Sequence, residues 1–247
     1  MALPLISLLA TLAVVASFLV PMVWMQSGEG ASPGWGALAL GVLAYLVLAY
    51  ITIFFNAALV HAANERLNGG DPTVRSALRG AASRAGRLLP WALLSATVSA
   101  LLRALEERAG TLGKIISGIA GIAWSLVTFL VIPVLVMEDL RVSDAVRRSA
   151  ALFKGTWGEN IAARVGFGLL GFLAVLPGAV IIGLAVAAGD PVHPLLVTVG
   201  IVWIAAASLV LATLSGIFQT ALYRYAAGLP GQGAFASDDL RAAFGAK

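Results

Sequence analysis

Long stretches of this chain are apolar at nearly every position, and its polar residues gather in short segments between them. Six runs stand out: Ala2–Met25, Trp35–Ala62, Leu88–Leu105, Ile115–Met137, Asn160–Ala188 and His193–Ala226. A helix needs about 20 mostly apolar residues to cross the hydrocarbon core of a bilayer. Barrel strands would show segments of roughly 10 residues in strict alternation, whereas these runs are continuous. The pattern predicts an all-α membrane protein with six transmembrane helices, in one domain over residues 1–247. The first run has no basic residue ahead of it and exceeds the roughly 7–15 apolar residues of a secretion signal, so it reads as a retained span. Ser27-Gly28-Glu29-Gly30-Ala31-Ser32-Pro33-Gly34 is a turn-rich connection, and Gly189-Asp190-Pro191 is short enough to force antiparallel neighbours.

Between the runs lie basic segments with helical spacing, predicted as interfacial amphipathic helices over residues 72–86, 142–155 and 237–244. Asp71 and Pro72 read as the N-cap and first residue of the first of these. In the second, Val142, Ala145, Val146, Ser149, Leu152 and Phe153 share one face, and Arg141, Asp144, Arg148 and Lys154 fall largely on the other. Such a helix would bury its stripe at the acyl boundary and aim its cations at anionic headgroups, each worth about 1 kcal/mol near that surface. A plainer reading makes the same charges a topology signal and nothing more.

These segments also repeat. Val74–Ala82 aligns with Val142–Ala150, and a looser copy, Ser237–Phe244, follows the last run. The end of that run, Phe218-Gln219-Thr220-Ala221-Leu222-Tyr223, echoes Phe55-Asn56-Ala57-Ala58-Leu59-Val60. A repeated unit fixes architecture before any other signal, and it predicts parallel internal repeats of span plus helix.

Charge then orients the bundle. With six spans, Arg66, Arg75, Arg79, Arg84, Arg87, Arg141, Arg147, Arg148, Lys154, Arg164, Arg224, Arg241 and Lys247 fall on one side, and Arg103, Arg108 and Lys114 on the other. Basic loops stay inside, so thirteen against three places both termini in the cytoplasm and the protein in a bacterial inner membrane. The composition, 60% hydrophobic and 11% charged, lies far from the roughly 25% charged of a soluble domain.

Little chemistry remains for the bilayer region. The absence of cysteine excludes disulfide, thiol and cysteine-ligated cluster chemistry. No Asp or Glu lies deep in a span, where ionisable groups mark proton relays and ion paths. His61 and His193 fall at opposite ends of the bundle, and no zinc motif or phosphate-cradling loop is present. Small residues four apart (Ala92, Ala96 and Ala100; Ser117, Gly121 and Ser125) read as packing seams, and Pro133 and Pro177 as kinks. Asn56 and Gln219, at matching repeat positions, are either interhelical glue or one polar intramembrane site.

Phe54-Phe55-Asn56-Ala57-Ala58-Leu59, Gly70-Asp71-Pro72-Thr73, Trp91-Ala92-Leu93-Leu94-Ser95-Ala96-Thr97-Val98, Thr156-Trp157-Gly158-Glu159-Asn160 and Ala221-Leu222-Tyr223-Arg224-Tyr225-Ala226 together resemble an uncharacterised domain-of-unknown-function family of bacterial multi-pass membrane proteins, common in high-GC bacteria. The resemblance covers nearly the whole chain and implies no activity, substrate or cofactor. Proteins of that pattern begin with a basic amphipathic segment, whereas this chain starts at Met1-Ala2-Leu3-Pro4; a truncated start would leave out a fourth interfacial helix. The loop holding Trp157, Glu159 and Asn160 is its most distinctive local feature, an interfacial anchor or a ligand contact.

The sequence thus points to a non-enzymatic integral membrane protein without metal or cofactor. Arg75, Arg79, Arg84, Arg147, Arg148 and Lys154 are its candidate contacts to anionic inner-leaflet lipid or to a cytoplasmic partner. A second copy of the chain stays open as a partner, and nucleic acid is not expected. The alternative is a passive channel or a lipid or small-solute transporter with its path between the repeats.

Overall fold

The computed structural model describes residues 35–108, 110–155, 157–188 and 193–229, with Leu3, residues 5–7 and Leu9. The rest of the predicted first span, the tail helix at 237–244 and both turn-rich connections lie outside these residues. The described residues are helical, in the order α1 (Trp35–Leu67), α2 (Val74–Ala82), α3 (Ala85–Arg108), α4 (Gly110–Val127), α5 (Val131–Met137), α6 (Val142–Gly155), α7 (Trp157–Ala188) and α8 (His193–Ala226). Five helical stretches are long and apolar enough to cross a membrane: Ala39–Leu67, Ala85–Arg108, Gly110–Met137, Gly168–Ala187 and Pro194–Ala226.

The α1–α2 connection shows how local chemistry sets the boundaries. Gly69, at φ 82°, closes α1: its N–H donates to Arg66 O, and that of Gly70 to Glu65 O, both at 3.0 Å. This left-handed closure satisfies two of the last carbonyls of α1. Helix α2 then begins two residues later than the sequence suggested. Thr73, not Asp71, is its N-cap, because Thr73 and Ser76 exchange side-chain-to-backbone hydrogen bonds at 3.0 Å. Asp71 has valine at the corresponding reciprocal position and pairs with Arg66 at 3.4 Å instead. A reciprocal cap contributes about 1 kcal/mol, and the Ser76 hydroxyl also donates to Glu65 Oε2 at 2.9 Å, tying α2 to α1.

The core is gathered at the basic end. Ala57, Ala58 and Val60 of α1, Leu88 and Trp91 of α3, nearly all of α5, and Leu222 and Tyr223 of α8 are buried there, and Leu3 joins them. Toward the other end, Leu101, Leu112, Ile119, Ile122, Phe172 and Leu184 are exposed, as lipid-facing side chains are. The expectation that α2 and α6 lay their apolar stripes on lipid is corrected here. Ala77 and Ala81 of α2, and Ala145, Ser149 and Leu152 of α6, are buried within the protein. Small residues allow this close seating: Gly80 lies directly against the His61 ring.

Small residues also join α7 to α8. A Cβ on Gly178 would come within 2.8 Å of Gly200 O, and one on Gly200 equally close to Gly178 O, so the two backbones touch. Trp203 Nε1 donates across the same seam to Ala174 O at 2.9 Å. Of the predicted seams, Ala92, Ala96 and Ser117 are buried while Ala100 is exposed. Pro177 stays inside a continuous α7, but the fourth run is broken. Residues 128–130 leave the α-helix, dividing Ile115–Met137 between α4 and α5. Pro133 is the cause: it has no N–H for the carbonyl four residues earlier, which is that of Phe129.

Candidate functional site

The break in the fourth run is closed by side chains from elsewhere in the chain. The Gln219 Nε2 of α8 donates to Phe129 O, the carbonyl that Pro133 leaves without its helical partner. On the other side, Leu130 N–H donates to Ser149 Oγ at 3.2 Å, and the Ser149 hydroxyl donates to Val127 O. One hydroxyl from α6 therefore satisfies a donor and an acceptor that the broken helix exposes. Val131 N–H turns to Thr128 O at 3.1 Å, and the Thr128 hydroxyl to Trp124 O at 2.7 Å. Trp124 in turn stacks on Trp91 of α3, centroids 6.0 Å apart.

Beside this junction lies a cavity of about 580 Å³ between α1 and α8. Asn56 and Gln219, which the sequence pairs by repeat position, both line it. The pattern on each helix explains why. Thr52, Phe55, Asn56 and Leu59 recur at i, i+3, i+4 and i+7 along α1, and Ser208, Ala212, Ser215 and Gln219 recur similarly along α8, so each set shares a face. Phe129 and Ser7 also line it, and no charged side chain does among the described residues. Below the cavity Leu59 rests on Gly216, which lets the two helices close. Near their ends Arg224 donates to Asn64 Oδ1 at 2.7 Å, fixing α1 and α8 in the same direction.

The lining polar groups differ in what they already do. The Thr52 hydroxyl donates to Leu48 O at 2.9 Å, an ordinary bond back into its own helix, and the Gln219 amide is engaged with Phe129. Asn56 is half-buried, and its carboxamide makes no hydrogen bond to a described residue; the Ser215 hydroxyl is in the same state. Gln219 thus bridges α8 to the break after α4, and Asn56 faces the cavity.

The six candidate cations divide as well. Arg84 donates to Val136 O at 3.3 Å and meets Asp139 at 3.4 Å, and Arg87 joins it on the same carboxylate. Arg148 bonds Glu138 at 3.1 Å, and the Tyr223 hydroxyl donates to the same Glu138 oxygen at 2.8 Å. These residues knit α3, α5, α6 and α8 together at the basic end. Arg75, Arg79, Arg147 and Lys154 are exposed and form no ion pair with described residues.

Trp157, Glu159 and Asn160, expected in a connecting loop, form the first turn of α7; their side chains lie outside the description. Sequence reading missed Ser149 and the Glu138–Tyr223 bond as structural joints. The signal for Ser149 was available, because it is the polar member of an otherwise apolar face. Glu138 had none beyond its place at the foot of a span. Among the described residues no group of three or more His, Cys, Asp or Glu side chains converges as a metal site would require. The described lining of the cavity offers hydrogen bonds and apolar contact.

Residues 37–234 match a family model described as Family of unknown function (DUF6159). No curated protein and no solved structure matches the chain.

Proposed function

We propose that this chain, which belongs to the family of unknown function DUF6159, is a non-enzymatic six-span protein of a bacterial inner membrane that holds anionic headgroups at its basic, cytoplasmic end. One observation carries the reading: Arg75, Arg79, Arg147 and Lys154 are exposed on two helices whose other faces are fixed to the core. Cations on anchored helices form a patch of fixed geometry, which a loop retained only for topology does not need. The aligned pairs Ala77 with Ala145, and Ala81 with Ser149, are alike fully buried, which supports reading α2 and α6 as copies of one unit.

Orientation is tested first. The chain has no cysteine, so single cysteines at Ser32 and Ser83 report cleanly. An impermeant thiol reagent added outside intact cells should modify position 32 and spare position 83; modification of 83 alone would reverse the topology.

Headgroup binding is tested by heat. Four cations at about 1 kcal/mol each should let anionic vesicles raise the unfolding temperature more than zwitterionic ones. High salt should shrink that difference, since screening acts over about 8 Å at physiological ionic strength. Changing Arg75, Arg79, Arg147 and Lys154 together to glutamine should remove most of it. If wild type and variant gain equally from both lipids, the patch is a topology signal only.

A second reading is favoured by the cavity between α1 and α8. A polar-lined space between the first and last described spans suits a passive route or holding place for a lipid or small solute. Lipid movement or solute flux in reconstituted vesicles tests it directly.

A further inference from the structure

Asn56 sits in an unusual position for a carboxamide among apolar helices. It lies nine residues before Glu65 on α1, roughly 14 Å along the helix axis, so Glu65 at an interface puts it well inside the hydrocarbon. An amide with no partner at that depth costs several kcal/mol by transfer to a medium without hydrogen-bonding groups, and interhelical bonding is the usual remedy. Gln219 has that remedy in Phe129 O. Among the described residues Asn56 has no such partner, and neither does Ser215 across the cavity.

We propose that the cavity is a binding site for the glyceryl-ester end of an uncharged lipid, a diacylglycerol, with Asn56 and Ser215 as its polar contacts. The proposal rests on the second reading above and names its ligand class. The size fits, since about 580 Å³ falls within the roughly 300–1,000 Å³ of pockets that enclose small ligands. The charge fits, because no ionised side chain lines the cavity among the described residues and a phosphate brought there would be unpaired in a low dielectric. The polar chemistry fits too. An ester carbonyl accepts from the Asn56 amide, and a free glycerol hydroxyl both donates to and accepts from Asn56 and Ser215. Phe55, Leu59, Phe129 and Leu209 supply the apolar wall against which the start of an acyl chain packs.

The test uses the full chain in phosphatidylcholine nanodiscs and a diacylglycerol carrying a photoreactive diazirine beside the ester. Cross-links should concentrate on the peptides holding Asn56 and Ser215. Unlabelled diacylglycerol should compete, and phosphatidic acid should not. Asn56→Leu should weaken labelling about tenfold, the loss expected for one good hydrogen bond, with unfolding temperature raised because the unpartnered amide is gone. Ser215→Ala, which removes only an oxygen, should weaken it about threefold and serves if Asn56→Leu folds poorly. Labelling spread evenly over the exposed helix faces, or unchanged in both variants, overturns the proposal. Equal competition by phosphatidic acid overturns it as well, since the site would then read charge. Site-specific labelling with no transbilayer lipid movement defeats the passage reading and leaves the binding site standing; movement without such labelling does the reverse.

Discussion

Ser149→Ala is expected to destabilise the protein by about 2–5 kcal/mol, although it removes only one oxygen atom. The change leaves Leu130 N–H and Val127 O without their shared partner, in a place where Ser149 is 0% and Leu130 1% exposed. Each buried group left unsatisfied costs about 1–3 kcal/mol. Ser143→Ala, on the exposed side of the same helix, should stay within about 0.5 kcal/mol. Chemical unfolding of the detergent-purified protein compares the two, and equal effects would show that the stitch across the break contributes nothing. The other half of the stitch permits a sharper comparison. Gln219→Leu removes the amide that donates to Phe129 O, whereas after Pro133→Ala an alanine at that position supplies a helical N–H to the same carbonyl. The cost of Gln219→Leu should therefore fall by more than half in the Pro133→Ala background, a coupling that a double-mutant cycle measures.

The second large effect is expected at the α7–α8 contact. Gly200→Ala should cost about 3 kcal/mol, at the upper end for overpacking, because the added carbon meets Gly178 O at 2.8 Å and a backbone carbonyl cannot rotate away. Gly178→Ala should behave alike, and the pair together should separate the helices. Gly183→Ala, in the same helix as Gly178, provides the contrast. Nothing lies within 4 Å of its Cβ position, so the substitution should gain up to about 1 kcal/mol of helix propensity. Unfolding curves that put Gly200 and Gly183 on the same side of neutral would refute the close approach.

How much of this was legible in the sequence depended on the range of the interaction. Continuous apolar runs marked the helices of all five described spans, because crossing a bilayer imposes a length that composition alone reveals. The echo of Phe55-Asn56 in Phe218-Gln219 brought together two residues that share one cavity. Pro133 announced a disturbance, but its location at residues 128–130 and its closure were not readable. The partners stand 90 residues away at Gln219 and in a neighbouring helix at Ser149. The amphipathic pattern of 142–155 identified a helix correctly and its environment incorrectly, since a stripe of Ala, Val and Leu fits a protein wall as readily as an acyl boundary. The N-cap shifted from Asp71 to Thr73 for a similar reason: the decisive feature was the reciprocal bond with Ser76, not the proline.

The stitch at Phe129 also has a consequence for the order in which the chain is made. Synthesis releases α4 and α5 long before α8, so the fourth run enters the membrane while the donor for Phe129 O is still being translated. Until α8 arrives, this run lacks the Gln219 amide that bridges its break, which disfavours its leaving the insertion machinery alone. The last helix is then the clasp of the assembly. A ribosome stalled before Gln219 should leave a nascent chain whose fourth run stays in contact with the insertion channel and is open to membrane proteases. Extending the chain past Tyr223 should release both constraints together.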